Sequence, residues 1–216
     1  MEASVWETLA ENLPCEALSL PGHAGKKTEA LLPSIEVMAE WIEGQIENYS
    51  PRSVILMGHS MGALIALEAA PHPAVAALVL IGAAARMPVH PDLLKQASAE
   101  PEAAAALILK WGVSSAHPEA VEYLKQRMRP ETLANDLSAC NAYQQGAAAA
   151  RAINKPVLVL AGMDDKLTKP AAGQELADML KNARFHLVSG SGHMLMVENP
   201  VEIAREIKEF AAAIRD

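Results

Sequence analysis

Continuous apolar runs alternate along the chain with segments whose apolar residues recur at helical spacing. The runs at 54–57, 75–81 and 157–160 contain no alternating polar positions, which is typical of strands buried on both faces of a parallel sheet. The runs at 17–20 and 185–188 are shorter and predict two further strands. The pattern therefore gives five candidate strands.

Helical segments are predicted between these strands, at 34–48, 61–70, 171–180 and 201–214. Ser34 is suited to cap the first helix and Pro200 to begin the last one. Alternation of strand and helix predicts an α/β fold, with a mostly parallel sheet and helices on both of its faces. In such a fold the loops at the carboxyl ends of the strands share one rim, where active sites are built.

The stretch from residue 86 to residue 151 interrupts this alternation. It has no convincing strand, and five prolines divide it into roughly four short helices: Pro88, Pro91, Pro101, Pro118 and Pro130. Because it lies between two predicted strands, we expect a helical insertion over the rim. The predicted organisation is a core of residues 1–85 and 152–216 with a helical lid at 86–151.

Composition and charge exclude several classes of function. The 216 residues carry a net charge of −8, and the basic residues are scattered, which argues against a nucleic-acid or anionic-membrane partner. The apolar stretch at 74–85 is too short to span a bilayer, and the first residues lack the features of a signal peptide. Cys15 and Cys140 have no metal-type spacing and are typical of reduced residues in a cytoplasmic protein.

The motif Gly58-His59-Ser60-Met61-Gly62 directly follows the first of the long apolar runs. A Gly-x-Ser-x-Gly sequence between a strand and a helix places the serine on a sharp, strained turn with its hydroxyl exposed. So short a motif also occurs in ordinary turns. The strand before it and the helix after it favour a nucleophilic serine.

A nucleophilic serine needs a base, which is usually a histidine oriented by a carboxylate. His193 follows a predicted strand in the loop Gly190-Ser191-Gly192-His193 and lies on the same rim as Ser60. The other six histidines are predicted to be surface or structural residues, and the His59 side chain is expected to point away from the turn. Asp164 and Asp165 follow the strand at 157–160, and position alone does not choose between them.

The chain resembles an α/β-hydrolase of the lidded, cofactor-independent esterase type over essentially its whole length. The matching segments are Leu20-Pro21-Gly22-His23, Gly58-His59-Ser60-Met61-Gly62, Gly162-Met163-Asp164-Asp165 and Gly190-Ser191-Gly192-His193. In the family's G-x-x-D pattern the acid is the fourth residue, which selects Asp165. The resemblance implies a catalytic triad of Ser60, Asp165 and His193, an oxyanion hole that uses the backbone N–H of Met61, and no metal or organic cofactor.

The chain departs from this family at its amino-terminal side. The second oxyanion N–H of the family comes from a loop usually marked by a His-Gly pair, and this sequence contains no such pair. Family members also have two or three strands before the segment that matches Trp6, whereas five residues precede Trp6 here. Two explanations remain open. Either nothing supplies the missing strands and the sheet is fragile, or the 17–20 strand pairs with the 54–57 strand in a smaller sheet of about five strands.

The predicted function is hydrolysis of a small, fairly apolar ester or thioester through an acyl-enzyme intermediate. The alternative is a binding protein of the same fold that has lost turnover with part of its oxyanion hole. Bulky apolar residues in or near the insertion are candidates for the pocket: Met87, Trp111, Met128, Tyr143, Met194 and Met196. An exposed strand at the shortened side would allow a homodimer.

Overall fold

Four parallel strands form the central sheet of the computed structural model, which describes residues 3–23, 29–49 and 53–214. They are β1 (Val54–His59), β2 (Val75–Ile81), β3 (Val157–Gly162) and β4 (Ala183–Val188), arranged in the order β1-β2-β3-β4. All three neighbouring pairs are parallel. The carboxyl ends of the strands therefore lie on one rim, as the sequence predicts.

Helices cover both faces of this sheet, which confirms the predicted α/β class. Alternate residues of β2 face opposite sides, so that Leu78 and Leu80 belong to one apolar core while Val79 and Ile81 belong to the other. The first core is closed mainly by helices α2 (Ile35–Ile46) and α3 (Met61–Ala69). The continuous apolar runs of the sequence thus reflect burial on two sides.

The four helices predicted outside the insertion are present, and the described residues there also form two short helices that were not predicted, α1 (Glu7–Ala10) and α10 (Leu195–Glu198). Ser34 caps α2 and accepts a hydrogen bond from the Val37 N–H, and Pro200 begins the last helix, as predicted. Besides α2 and α3, the predicted helices are α9 (Pro170–Met179) and α11 (Pro200–Ala213). Single turns of 3-10 helix occupy Ala3–Trp6 and Glu47–Tyr49.

In the stretch between β2 and β3, helices are the only regular elements among the described residues. It contains α4 (Pro91–Ala99), α5 (Pro101–Gly112), α6 (Pro118–Lys125), α7 (Leu133–Ala142) and α8 (Gly146–Ala152). Pro130 begins a 3-10 turn, Pro130–Thr132, immediately before α7. Five α-helices stand where the proline spacing predicts roughly four, because no proline marks the boundary between α7 and α8.

The predicted strand at 17–20 is wrong. This segment has no ladder with any strand, and β1 is therefore the edge of a four-stranded sheet. Ala17 and Leu18 line the same cavity as Val54 and Ile55, so the two segments face each other across open space. Only Leu20 of the run packs against the core, and Leu18 is exposed, so the run does not bury enough apolar surface to form a strand there.

No helix in the described part of the chain is long and apolar enough to cross a bilayer.

Candidate active site

Ser60 occupies a strained turn between β1 and α3. Its φ of 52° and ψ of −118° make it the one non-glycine residue with positive φ among the described residues. A side chain at Gly58 would place a Cβ 2.0 Å from the Gly62 carbonyl oxygen, so any other residue there would force the backbone of the turn to shift. Strain of this kind persists where the surrounding structure enforces it, and it concentrates at functional sites. The geometry is that of a serine presented at the end of a strand.

Asp165 and His193 form a buried pair at the neighbouring strand ends. The Nδ1–H of His193 donates to Asp165 Oδ2 over 2.7 Å. The other carboxylate oxygen of Asp165 accepts the backbone N–H groups of Leu167 and Thr168, at 2.8 and 2.9 Å. With Nδ1 as the donor, Nε2 of a neutral His193 ring has a free lone pair and can accept a proton.

The adjacent Asp164 does not reach this histidine. Its carboxylate is exposed and accepts the Ser114 hydroxyl over 2.7 Å. The structure therefore brings Asp165, and not Asp164, into contact with His193.

The main chain of His193 is held from both sides. Its N–H donates to the Gly112 carbonyl over 2.6 Å, and its carbonyl accepts the Nε2–H of His59 over 2.8 Å. The rings of His59 and His193 lie 4.7 Å apart between centroids, at an angle of 54°. Burial and the neighbouring His193 hold the pKa of His59 well below its usual range, so His59 is neutral and serves as a hydrogen-bond donor.

His59 is a buried structural residue, as predicted. Its ring packs against the loop of His193, and only 8% of the residue is exposed. The signal in the sequence is a polar residue at the end of an apolar strand, directly before the candidate nucleophile. Such a residue needs a buried hydrogen-bond partner, and the nearest rim loop supplies one.

Ser60, Met61 and His193 line one cavity of about 1280 Å³. Within the described residues no hydrogen bond joins Ser60 Oγ to His193 Nε2, and such contacts often tighten only when substrate is bound. Met61 is the first residue of α3, so its N–H has no acceptor inside the helix and is available to an anion. Five of the six predicted pocket residues line this cavity: Met87, Trp111, Met128, Met194 and Met196.

Tyr143 is the exception, because it is buried and its hydroxyl donates to Glu68 over 2.5 Å. It is a packing residue of the core that contains α3 and α7.

The described residues contain no group of three or more His, Cys, Asp or Glu side chains arranged to hold a metal ion. Burial raises the pKa of the Cys140 thiol to about 12, so this residue is a protonated, apolar packing group. That the protein requires no metal or organic cofactor stays a prediction.

The parallel sheet and the residues Ser60, Asp165 and His193 at its rim are together typical of an α/β-hydrolase. A model of the alpha/beta hydrolase family matches residues 1–206. The chain belongs to this family.

Individual relatives are similar over most of the chain. One is a pimeloyl-[acyl-carrier protein] methyl ester esterase of Neisseria meningitidis serogroup A, 28% identical over 229 aligned positions that cover 94% of this chain and 70% of the relative. A solved thermophilic esterase is 26% identical, with a TM-score of 0.81 over 91% of this chain and 79% of that one. The enol-lactonase of Burkholderia xenovorans LB400 shares the fold at 22% identity, with a TM-score of 0.85 over 98% and 87% of the two chains. The family and these relatives support a carboxylic ester hydrolase-like enzyme.

Proposed function

We propose that this protein is a serine hydrolase that cleaves a small, fairly apolar ester or thioester through an acyl-enzyme intermediate. One observation carries the proposal: the strained Ser60 and the His193 that is paired with buried Asp165 line the same cavity. A serine, a histidine and a carboxylate in this chain order are the parts of an acyl-transfer site on an α/β sheet.

In the first step Ser60 Oγ attacks the carbonyl carbon of the substrate while His193 Nε2 accepts the hydroxyl proton. Asp165 keeps the proton of the ring on Nδ1 and stabilises the imidazolium that forms. The Met61 N–H, at the amino end of α3, donates to the developing oxyanion. Collapse of this intermediate breaks the bond to the leaving group, which takes the proton from His193.

In the second step water attacks the acyl-Ser60 ester. His193 Nε2 accepts a proton from that water and returns it to Ser60 Oγ, which releases the carboxylic acid. The arrangement that served acylation serves deacylation as well, with water in place of the leaving group.

The cavity lining supports an apolar acyl group. Methionine side chains adapt their shape to ligands, and Met194 and Met196 directly follow the catalytic histidine in sequence. Three exposed cations lie in the rim loops that border this cavity: Arg86, Lys166 and Lys169. With a methyl ester esterase among the relatives, methyl esters of acyl chains, with or without a distal negative charge, are the first substrates to test.

We also propose that the inserted helices act as a lid. Ile108 and Trp111 of α5 and Leu133 of α7 line the cavity beside Ser60, so the insertion forms part of its wall. The predicted lid limits of 86–151 and core limits of 1–85 and 152–216 follow the same division. Location in the cytoplasm and a homodimer that uses the edge of β1 stay predictions.

The test is intact-mass labelling with a fluorophosphonate, with Ser60→Ala as the matched control. One adduct on the parent and none on the control is the expected result. The parent should then hydrolyse short-chain esters with a burst of the leaving group.

A binding protein of the same fold is the second candidate. The open edge of β1 beside the nucleophile favours it, because nothing described there fixes the turn from that side. A folded parent that takes up no adduct, but binds acyl esters saturably, would establish this alternative and reject the hydrolase.

A further inference from the structure

Glu198 is a buried carboxylate that the reaction described above does not use. It ends the short helix α10, directly after the loop of His193, and is 5% exposed. Its Oε2 accepts the Gly192 N–H over 2.5 Å and the Ser114 N–H over 3.3 Å. Its Oε1 accepts the Met194 N–H over 3.0 Å. The carboxylate therefore binds the residues on both sides of His193.

We infer that Glu198 is a positioning residue for His193, whose backbone it fixes so that Nε2 faces Ser60. This inference rests on the proposed function. It concerns a group that touches neither the substrate nor the reacting atoms and acts through the loop it holds.

All three partners of Glu198 are N–H donors, which only an acceptor can satisfy. Burial raises the pKa of Glu198, although the three backbone N–H groups oppose that shift. A buried charge is costly unless hydrogen bonds compensate it, and these bonds supply the compensation. A glutamine of the same shape would point its NH₂ group at one of the donors, so at least one N–H would lose its partner.

Glu198 also connects the two loops of the Asp165–His193 pair. The N–H of Ser114 donates to Glu198, while the Ser114 hydroxyl donates to Asp164, the neighbour of Asp165. The Asp164 N–H in turn donates to the Ser191 carbonyl over 2.8 Å. Loss of the carboxylate therefore removes two hydrogen bonds from the histidine loop, those of Gly192 and Met194, and one link to the aspartate loop.

The variant that tests this is Glu198→Gln, and Glu206→Gln is its matched control. Glu206 is also buried, at 3% exposure, but its partners are Arg184, Arg205 and His186, and it is not among the residues that line the cavity. Both variants remove one buried negative charge. Only Glu198→Gln removes an acceptor from the loop of His193.

We expect Glu198→Gln to lower kcat and the rate of fluorophosphonate labelling by roughly 10- to 100-fold with little change in KM, because small misplacements of a base are costly. Glu206→Gln should be labelled at the parent rate even if its Tm falls as far as that of Glu198→Gln. Where the parent is labelled, equal labelling rates for Glu198→Gln and the parent would overturn the inference. If Glu198→Gln does not fold, Glu198→Asp decides in the same way, since it keeps the charge but is one methylene too short to reach all three donors.

A second readout does not depend on activity. The Nδ1 proton of His193, bonded to Asp165, should give a low-field proton NMR signal that Ser60→Ala leaves in place. We expect this signal to shift or broaden in Glu198→Gln but not in Glu206→Gln, and an unchanged signal would overturn the inference. An unlabelled parent that shows this dependence would reject the proposed hydrolase while the positioning role of Glu198 stands.

Discussion

The two sides of the candidate site differ in how firmly they are held. On one side, His193 and Asp165 are buried. Hydrogen bonds donated by His59, Leu167 and Thr168, and one accepted by the Gly112 carbonyl, fix their main chain or side chain. On the other side, Ser60 follows β1, which is the edge of the sheet, and residues 54–57 of that strand are only half-buried. His193 and Asp165 are thus more rigidly placed than Ser60.

This difference follows from the elements that hold each side of the site. The histidine side is made of loops that follow β3 and β4 and the turn after α5, held by contacts among residues 112–199 and by the hydrogen bond from His59. The nucleophile side has β2 on one flank and a cavity on the other. Since catalysis needs both sides in register, we expect the Ser60 side to limit the rate.

The largest expected effect breaks the rigid side at its centre. Asp165→Asn keeps the shape of the side chain but removes the charge that holds the proton on Nδ1 of His193. We expect kcat to fall by roughly 10⁴-fold, as loss of the orienting carboxylate does in such sites. Asp164→Asn is the control one residue away, and it should change kcat far less because its partner is Ser114. Steady-state hydrolysis of an activated ester measures both, and equal losses would contradict the assignment of Asp165.

Two glycines allow the same steric change on either side of the site. A Cβ at Gly162 would lie 2.0 Å from the Gly192 carbonyl oxygen, and a Cβ at Gly58 would lie 2.0 Å from that of Gly62. Overpacking costs about 1–3 kcal/mol and occasionally more. We expect Gly162→Ala to exceed this range, because the loop of Gly192 is fixed by Glu198. Gly58→Ala should stay within it, because β1 can shift at the open edge, yet it should lose labelling of Ser60.

Urea denaturation and fluorophosphonate labelling of both variants make the comparison. A larger loss of stability in Gly58→Ala than in Gly162→Ala would show that the edge of β1 is the more rigid side.

The class of fold follows from the sequence because its signals are strong and local. Uninterrupted apolar runs mark β2 and β3 as strands buried on both faces, and prolines mark the first turn of helices such as α4, α5 and α11. The run at 17–20 fails because a strand needs a neighbour as well as an apolar composition. The composition of these four residues does not determine whether they can pair with the edge of β1.

The residues of the candidate site also differ in how far the sequence predicts them. Motifs and position after strands predict Ser60 and His193, and the G-x-x-D pattern of the resembling family selects Asp165; their catalytic roles stay predictions. The contacts of His59 and Glu198 are not predicted, because each joins residues from separate rim loops whose approach is set by tertiary packing. Glu198 is a charged residue in an apolar stretch near the last helix, and the sequence alone does not tell such a residue from a solvated one.

A third prediction concerns His23 and Asp136, which join the loop before α2 to helix α7 of the insertion. Both ring nitrogens of His23 face acceptors, the Pro21 carbonyl at 3.1 Å and the Asp136 carboxylate at 2.9 Å. Burial lowers the pKa of His23, but the hydrogen bond and charge of Asp136 outweigh it and raise the pKa above the ordinary value of 6.5. A group whose pKa is raised in the folded protein stabilises the fold at pH values below its ordinary pKa. This stabilisation is lost as pH rises through the raised pKa.

We therefore expect His23→Gln to cost about 1–3 kcal/mol at mildly acidic pH. The cost should shrink as pH rises past the raised pKa. On the acid side the pKa of Asp136 is lowered by His23 against the effect of burial, so its own contribution persists until pH falls below the ordinary value of 3.8. Urea denaturation of the parent and of His23→Gln, from just above pH 3.8 to alkaline pH, measures the difference in their free energies of unfolding. Asp136→Asn should abolish the pH dependence, and a cost that grows with pH would show that His23 is neutral in the folded protein.

The smallest expected effect strengthens the nucleophile side instead of breaking it. Gly44 is an exposed residue within α2, and a Cβ there would meet no atom within 4 Å. Gly44→Ala should therefore raise the free energy of unfolding by about 0.5–1 kcal/mol, because glycine is a poor helix former. Ile42 and Ile46 of the same helix line the cavity beside β1, so α2 is part of the less firmly held side. If the two sides unfold together, urea denaturation will register the whole gain while labelling of Ser60 is unchanged. If the gain appears only as slower amide exchange in α2, the nucleophile side opens on its own, and the contrast between the two sides extends from geometry to stability.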